Sequence, residues 1–188
     1  MENKLEVKNR NEFREWLTLN SLKEKECWIN IKRGKPINSD TFYYLDAVEE
    51  ALCFGWIDST YKNIDGIMYN KFTPRKKNSP WTELNKERVR RLIKLNLMTN
   101  EGLKVLPDMN ISSYKIDEDI IKLLKENNIY SIFKSFPELY QRVRTYNITF
   151  YKSRNKKQYE ISLNHFIEST KKGEMYGEWN DYGRLLNY

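Results

Sequence analysis

Residues 56–74, WIDSTYKNIDGIMYNKFTP, hold two strand-like runs on either side of Asp65-Gly66. An Asp-Gly pair is a strong hairpin signal, because both residues tolerate the positive φ that a two-residue turn demands. With that turn, straight pairing sets Ile64 opposite Ile67, Lys62 opposite Tyr69, Thr60 opposite Lys71, Asp58 opposite Thr73 and Trp56 opposite Arg75. Alternation then predicts one face carrying Trp56, Asp58, Lys62, Lys71 and Arg75. The opposite face, with Ile57, Ser59, Tyr61, Met68 and Phe72, is more apolar and is expected to cover the core.

On the N-terminal side, CWINIKR (27–33) alternates Cys27, Ile29 and Ile31 against Trp28, Asn30 and Lys32, the period of a half-buried strand. Before it, Phe13, Trp16 and Leu17 follow the spacing of a short amphipathic helix that Asn11 can cap. After it, Gly34, Pro36, Asn38 and Ser39 predict a loop, and Asp40 or Thr41 a cap for the next helix. In that helix Leu45, Val48 and Leu52 share one face, Glu49 and Glu50 are expected to face water, and Gly55 supplies the stop.

On the C-terminal side, Ser79-Pro80 reads as a helix start, with Ser79 capping and Pro80 in the first turn, where its missing N–H is harmless. The basic helix that follows packs Leu84, Val89, Leu92 and Ile93, and Thr99 caps a short helix that Pro107 ends. From Ile111 the period is helical throughout, ending in a stripe of Tyr159, Leu163, Phe166 and Ile167. These signals predict an α+β protein. Residues 1–110 form a small antiparallel sheet with flanking helices, and 111–188 a helical C-terminal subdomain packed on it.

Composition narrows the function classes. The first twenty residues are charged throughout and no apolar run reaches the length of a membrane span, so a cytoplasmic protein with no membrane span is expected. Cys27 and Cys53 sit in apolar contexts without metal-ligand spacing and His165 is the one histidine, so neither metal nor cofactor is expected. The net charge is +7, and residues 71–94 carry nine basic side chains against Glu83 and Glu87. The rest of the chain is balanced, so the excess is confined to this stretch.

The polar hairpin face has the parts of an anion site. Arg75 offers a bidentate fork, Lys62 a mobile charge, Trp56 a stacking plane and Asp58 an orienting carboxylate, with the helix start after Ser79 close to Lys76. An ordinary Asp58–Arg75 ion pair on a solvated face is the structural alternative.

The signature Y-x-D-A-V-E-E-A-L-C-F-G-W-I-D-S from Tyr44, then Lys62, Ile64-Asp65, F-T-P-R-K from Phe72, Ser79 and Trp81, closely resembles the YdeI or OmpD-associated family. The later F-P-E-L-Y-Q-R-V-R and Y-G-E-W-N-D-Y-G-R-L-L are similar to its longer members. The resemblance implies a bacterial protein linked to bacteriocin protection, an α+β N-terminal domain with a helical C-terminal part, and no assigned chemistry. It adds weight to Trp56, Asp58, Ser59, Lys62, Arg75, Lys76, Ser79 and Trp81 as ligand-binding residues. The leading expectation is a binding module for an anionic small molecule, peptide or protein partner at the 56–81 hairpin mouth. One alternative is an enzyme using Asp58 and Lys62 with Ser59 in reach, and another a nucleic-acid-binding protein using the basic 71–94 stretch.

Overall fold

The computed structural model describes residues 3–38 and 40–188, so Ser39, expected in the loop after the 27–33 strand, lies outside the described residues. In chain order the elements are β1 (Lys4–Leu5), α1 (Arg10–Asn20), β2 (Cys27–Ile29), α2 (Tyr44–Cys53), β3 (Trp56–Ile64), β4 (Ile67–Pro74), α3 (Glu83–Lys94), α4 (Asn100–Lys104), α5 (Glu118–Glu126), α6 (Tyr130–Ser135), α7 (Glu138–Thr149) and α8 (Lys156–Lys171). The α+β class is as expected. The sheet is mixed rather than purely antiparallel: its order is β1-β2-β4-β3, and β1 pairs with β2 in parallel.

The hairpin turn forms at Asp65 and Gly66, whose φ values are 54° and 85°, and the Gly66 N–H donates to Asn63 Oδ1 at 2.9 Å. Near the turn the straight register holds, with Ile64 opposite Ile67, Lys62 opposite Tyr69 and Thr60 opposite Lys71. It then shifts by one residue at Ser59. Asp58 lies opposite Phe72, Ile57 opposite Thr73 and Trp56 opposite Pro74, so the expected Asp58–Thr73 and Trp56–Arg75 pairs do not form. The extra residue is a β-bulge, which leaves one position unpaired and reverses the alternation beyond it. Its effect is to carry Trp56 into the core, where it is 1% exposed. Burying such a ring removes roughly 150–250 Å² from water.

That core lies between the sheet and α1 and α2. Phe13 of α1 meets Phe72 at 5.5 Å between ring centroids and Phe42 at 6.1 Å, and Trp16 meets Trp56 edge-on at 5.8 Å. Asn9, not Asn11, caps α1, its side chain accepting from the Glu12 N–H. At the start of α2 the Asp46 carboxylate accepts from the Tyr43 N–H at 3.0 Å, the position expected for Asp40 or Thr41. Glu49 and Glu50 do not face water: they are 0% and 2% exposed. Arg10 and Arg91 reach Glu49 at 2.9 and 2.8 Å, while Arg10 and Arg14 pair with Glu50. Buried carboxylates persist only when paired in this way, and the arginines lie too far along the chain for helix periodicity to reveal them.

The chain divides into two compact units. One comprises Met1–Pro80, Arg88–Pro107 and Tyr188, and the other Trp81–Glu87 and Asp108–Asn187. The second has its own core, in which Phe133 meets Phe166 at 5.7 Å and Tyr140 meets Trp179 at 5.6 Å, both edge-on. Within it, Arg142 of α7 ties down Glu83 and Glu87 at 2.9 and 3.0 Å. Among the described residues no helix is long and apolar enough to cross a membrane.

Candidate functional site

The bulge decides what each side of the sheet presents. Cys27, Phe72 and Asp58 form one row across the strands, and Ile29, Asn70 and Tyr61 the next. Side chains paired across a ladder share a face, and Phe72 fixes this face as the one that α1 covers. Where the apolar rows end, this same face becomes polar. The Tyr44 hydroxyl, on the first residue of α2, donates to Asp58 Oδ2 at 2.5 Å. Arg33, in the loop after β2, donates from Nη1 to Asn70 Oδ1 at 2.7 Å. Its guanidinium lies over the Tyr44 ring at 4.0 Å and the Tyr61 ring at 4.7 Å.

Arg33 is thus an exposed cation held in one orientation by two rings and a buried amide; Asn70 is 1% exposed. Cation–π contacts fix a guanidinium by its faces and leave its edge for hydrogen bonds. Beyond the bond to Asn70, the Arg33 edge has no protein partner among the described residues. Asn70 Nδ2 is also buried with no acceptor among them. Burial drives the Tyr44 hydroxyl well above the usual phenol range, helped by the Asp58 charge and opposed by Arg33 and Arg88, whose charges both reach it. Tyr44 therefore stays a proton donor.

The expected site residues disperse. Trp56 is no surface stacking plane: its Nε1 donates to Ser21 O at 3.1 Å inside the core. Asp58 joins Tyr44, while Ser59 is the exposed bulge residue. Lys62 lies on the opposite side of the sheet, over the Trp28 ring at 5.9 Å, so it is not the charge partner of Asp58. Arg75 is buried and donates to Ser79 Oγ at 3.3 Å and Pro80 O at 3.2 Å, closing the turn after β4. The Lys76 carbonyl accepts from Ser79 Oγ in that turn at 2.7 Å. Ser79 consequently does not cap a helix. The next helix begins at Glu83, where Thr82 Oγ1 accepts from the Asn85 N–H at 3.1 Å. Trp81 is half-buried and belongs to the second unit.

On the outer face Lys62 and Lys71 lie over Trp28, Lys71 also pairs with Glu26 at 2.5 Å, and Trp28 is 4% exposed. Both ammonium groups lie over the indole face, a cation–π arrangement. The basic 71–94 stretch is also partly engaged. Lys71 meets Glu26, Lys86 meets Glu83, Arg91 meets Glu49, Lys94 meets the Tyr188 carbonyl, and Arg75 closes its turn.

Sequence reasoning passed over Arg33, Tyr44 and Asn70. A usable signal existed for Arg33: the odd positions Cys27, Ile29 and Ile31 point to the core side, and the next odd position is Arg33. Nothing local marks Asn70, because its partner lies 37 residues away.

Among known proteins, residues 5–105 match the model of a family described as a domain of unknown function, DUF8412. No curated protein and no solved structure matches the chain.

Proposed function

The chain belongs to that family of unknown function, and from this premise we propose that its first unit is a cytosolic binding module for an anionic small molecule, peptide or partner, bound at the polar end of the hairpin face. The observation that carries this reading is the exposed Arg33 guanidinium, clamped between Tyr44 and Tyr61 and fixed by buried Asn70. A preorientated guanidinium edge meets a carboxylate or phosphate without first losing side-chain freedom. The Tyr44–Asp58 pair keeps the platform in place. Under the resemblance to the YdeI or OmpD-associated group, capture of an anionic ligand would be the molecular event beneath a bacteriocin-protection phenotype.

The test is a residue-resolved NMR titration of the full chain with citrate and with a short glutamate-rich peptide. Signals of Arg33, Tyr44 and Tyr61 are expected to move saturably. Arg33→Ala, at an exposed position, should weaken binding by about tenfold or more, equivalent to about 1.4 kcal/mol. Equal affinity in Arg33→Ala, or responses confined to residues elsewhere, would refute the proposal.

A further inference from the structure

Arg142 and Arg144 lie two residues apart on α7 and are buried to nearly the same degree, 7% and 9% exposed. Arg142 meets two carboxylates. Arg144 meets none among the described residues; its Nη2 donates to the Tyr176 carbonyl, and its buried Nε has no acceptor. A buried charge without a counter-charge is costly, so a cavity that lets an anion reach the guanidinium would favour one.

Arg144 lines such a cavity. Its volume is about 220 Å³, and its walls include Tyr151, Ile161, Ser162, His165 and Tyr176. No carboxylate lines it. The Tyr176 ring carries the Arg144 guanidinium at 4.2 Å and stacks on the His165 imidazole at 4.1 Å. The Tyr176 hydroxyl is tied to Ser162 O at 3.3 Å, so the wall is braced at its far end. Gly177 permits the arrangement. Its φ is 68°, and a Cβ there would stand 2.6 Å from Arg144 Nη2.

We propose that this cavity is a second, separate binding site, for a small monocarboxylate with an apolar or aromatic body. One permanent positive charge matches one negative charge, and the planar guanidinium matches a planar carboxylate. Tyr151, Ile148 and Ile161 supply apolar wall for the rest of the ligand. Small-molecule sites commonly combine such walls with a few fixed polar groups.

The test is NMR of the full chain, following the Arg144 Nε–H and the imidazole of the lone histidine, His165, during titration with benzoate, benzamide and inorganic phosphate. Benzoate is expected to shift both signals saturably by about 10 mM, where even a site of about 1 mM affinity fills. Benzamide, which keeps the ring and lacks the charge, should bind at least about tenfold more weakly. Ile161→Trp places bulk at the exposed rim while leaving Arg144 intact, and should weaken benzoate by a similar factor. Arg33→Ala should leave benzoate binding here unchanged, which separates this site from the one on the hairpin. The proposal is overturned by no saturable shift with benzoate, by equal binding of benzamide, by phosphate acting where benzoate does not, or by Ile161→Trp binding benzoate normally.

Discussion

The Tyr44 hydroxyl donates to the Asp58 carboxylate at 2.5 Å, joining the first residue of α2 to β3 immediately before the bulge. Tyr44→Phe removes that donor and leaves a half-buried carboxylate short of a partner. The expected cost is about 1–3 kcal/mol in chemical denaturation. An unchanged midpoint would show that water replaces the hydroxyl without penalty.

Trp56 separates a core role from a ligand-stacking role. Its ring is fully buried against Trp16 and its Nε1–H is satisfied by Ser21 O. Trp56→Ala should therefore cost about 3–5 kcal/mol of stability, the range for large aromatic truncations. A variant of wild-type stability that fails only in citrate binding would restore the stacking role.

Glu49 holds Arg10 and Arg91 from the centre of the first unit. Glu49→Ala strands Arg91 and leaves Arg10 to Glu50 alone at close range, and should cost about 3–5 kcal/mol, more than a surface pair removed at Lys104–Glu101. Thermal melts of the two variants side by side provide the comparison.

Stability should fall in alkali. Burial raises the Cys27 and Cys53 thiols above the ordinary 9.0, Cys53 to about 11, and raises the Tyr44 and Tyr114 phenols above 10.0, Tyr114 to about 12. Each group stays protonated in the folded chain at a pH where the unfolded chain has ionised. The folded state then binds more protons, so stability is full below about pH 9 and is lost as pH rises through the folded values. Denaturant midpoints from pH 7 to 11 should show this decline, and thiol reagents at pH 8 should label neither cysteine until the chain unfolds. Labelling of the native protein would contradict the buried placement.

Much of the fold was legible because its signals are local. Asp65-Gly66 specified the turn, and the spacing of Phe13 and Leu17 specified the buried side of α1. The site was less legible because its causes are distant. WIDSTYKNI carries no mark of the extra residue at Ser59, so counting by twos from the turn gives the wrong side for Asp58 and Trp56. Glu49 and Glu50 resemble any solvated pair until arginines from α1 and α3 arrive. Ser79 followed by proline has the chemistry of a cap, yet its hydroxyl is taken by the Lys76 carbonyl and the helix starts at Glu83.

The bulge gives the hairpin two ladders of opposite phase joined by a spacer. The outer ladder takes its register from the turn, the inner one from packing of Trp56 and Asp58 against the helices. Residue pairs added or removed beyond Tyr61 and Asn70, one from each strand, would lengthen or shorten the projecting arm without turning Asp58 away from Tyr44 or displacing the ring and amide that hold Arg33. The arm's reach and the chemistry at its base are therefore free to diverge independently.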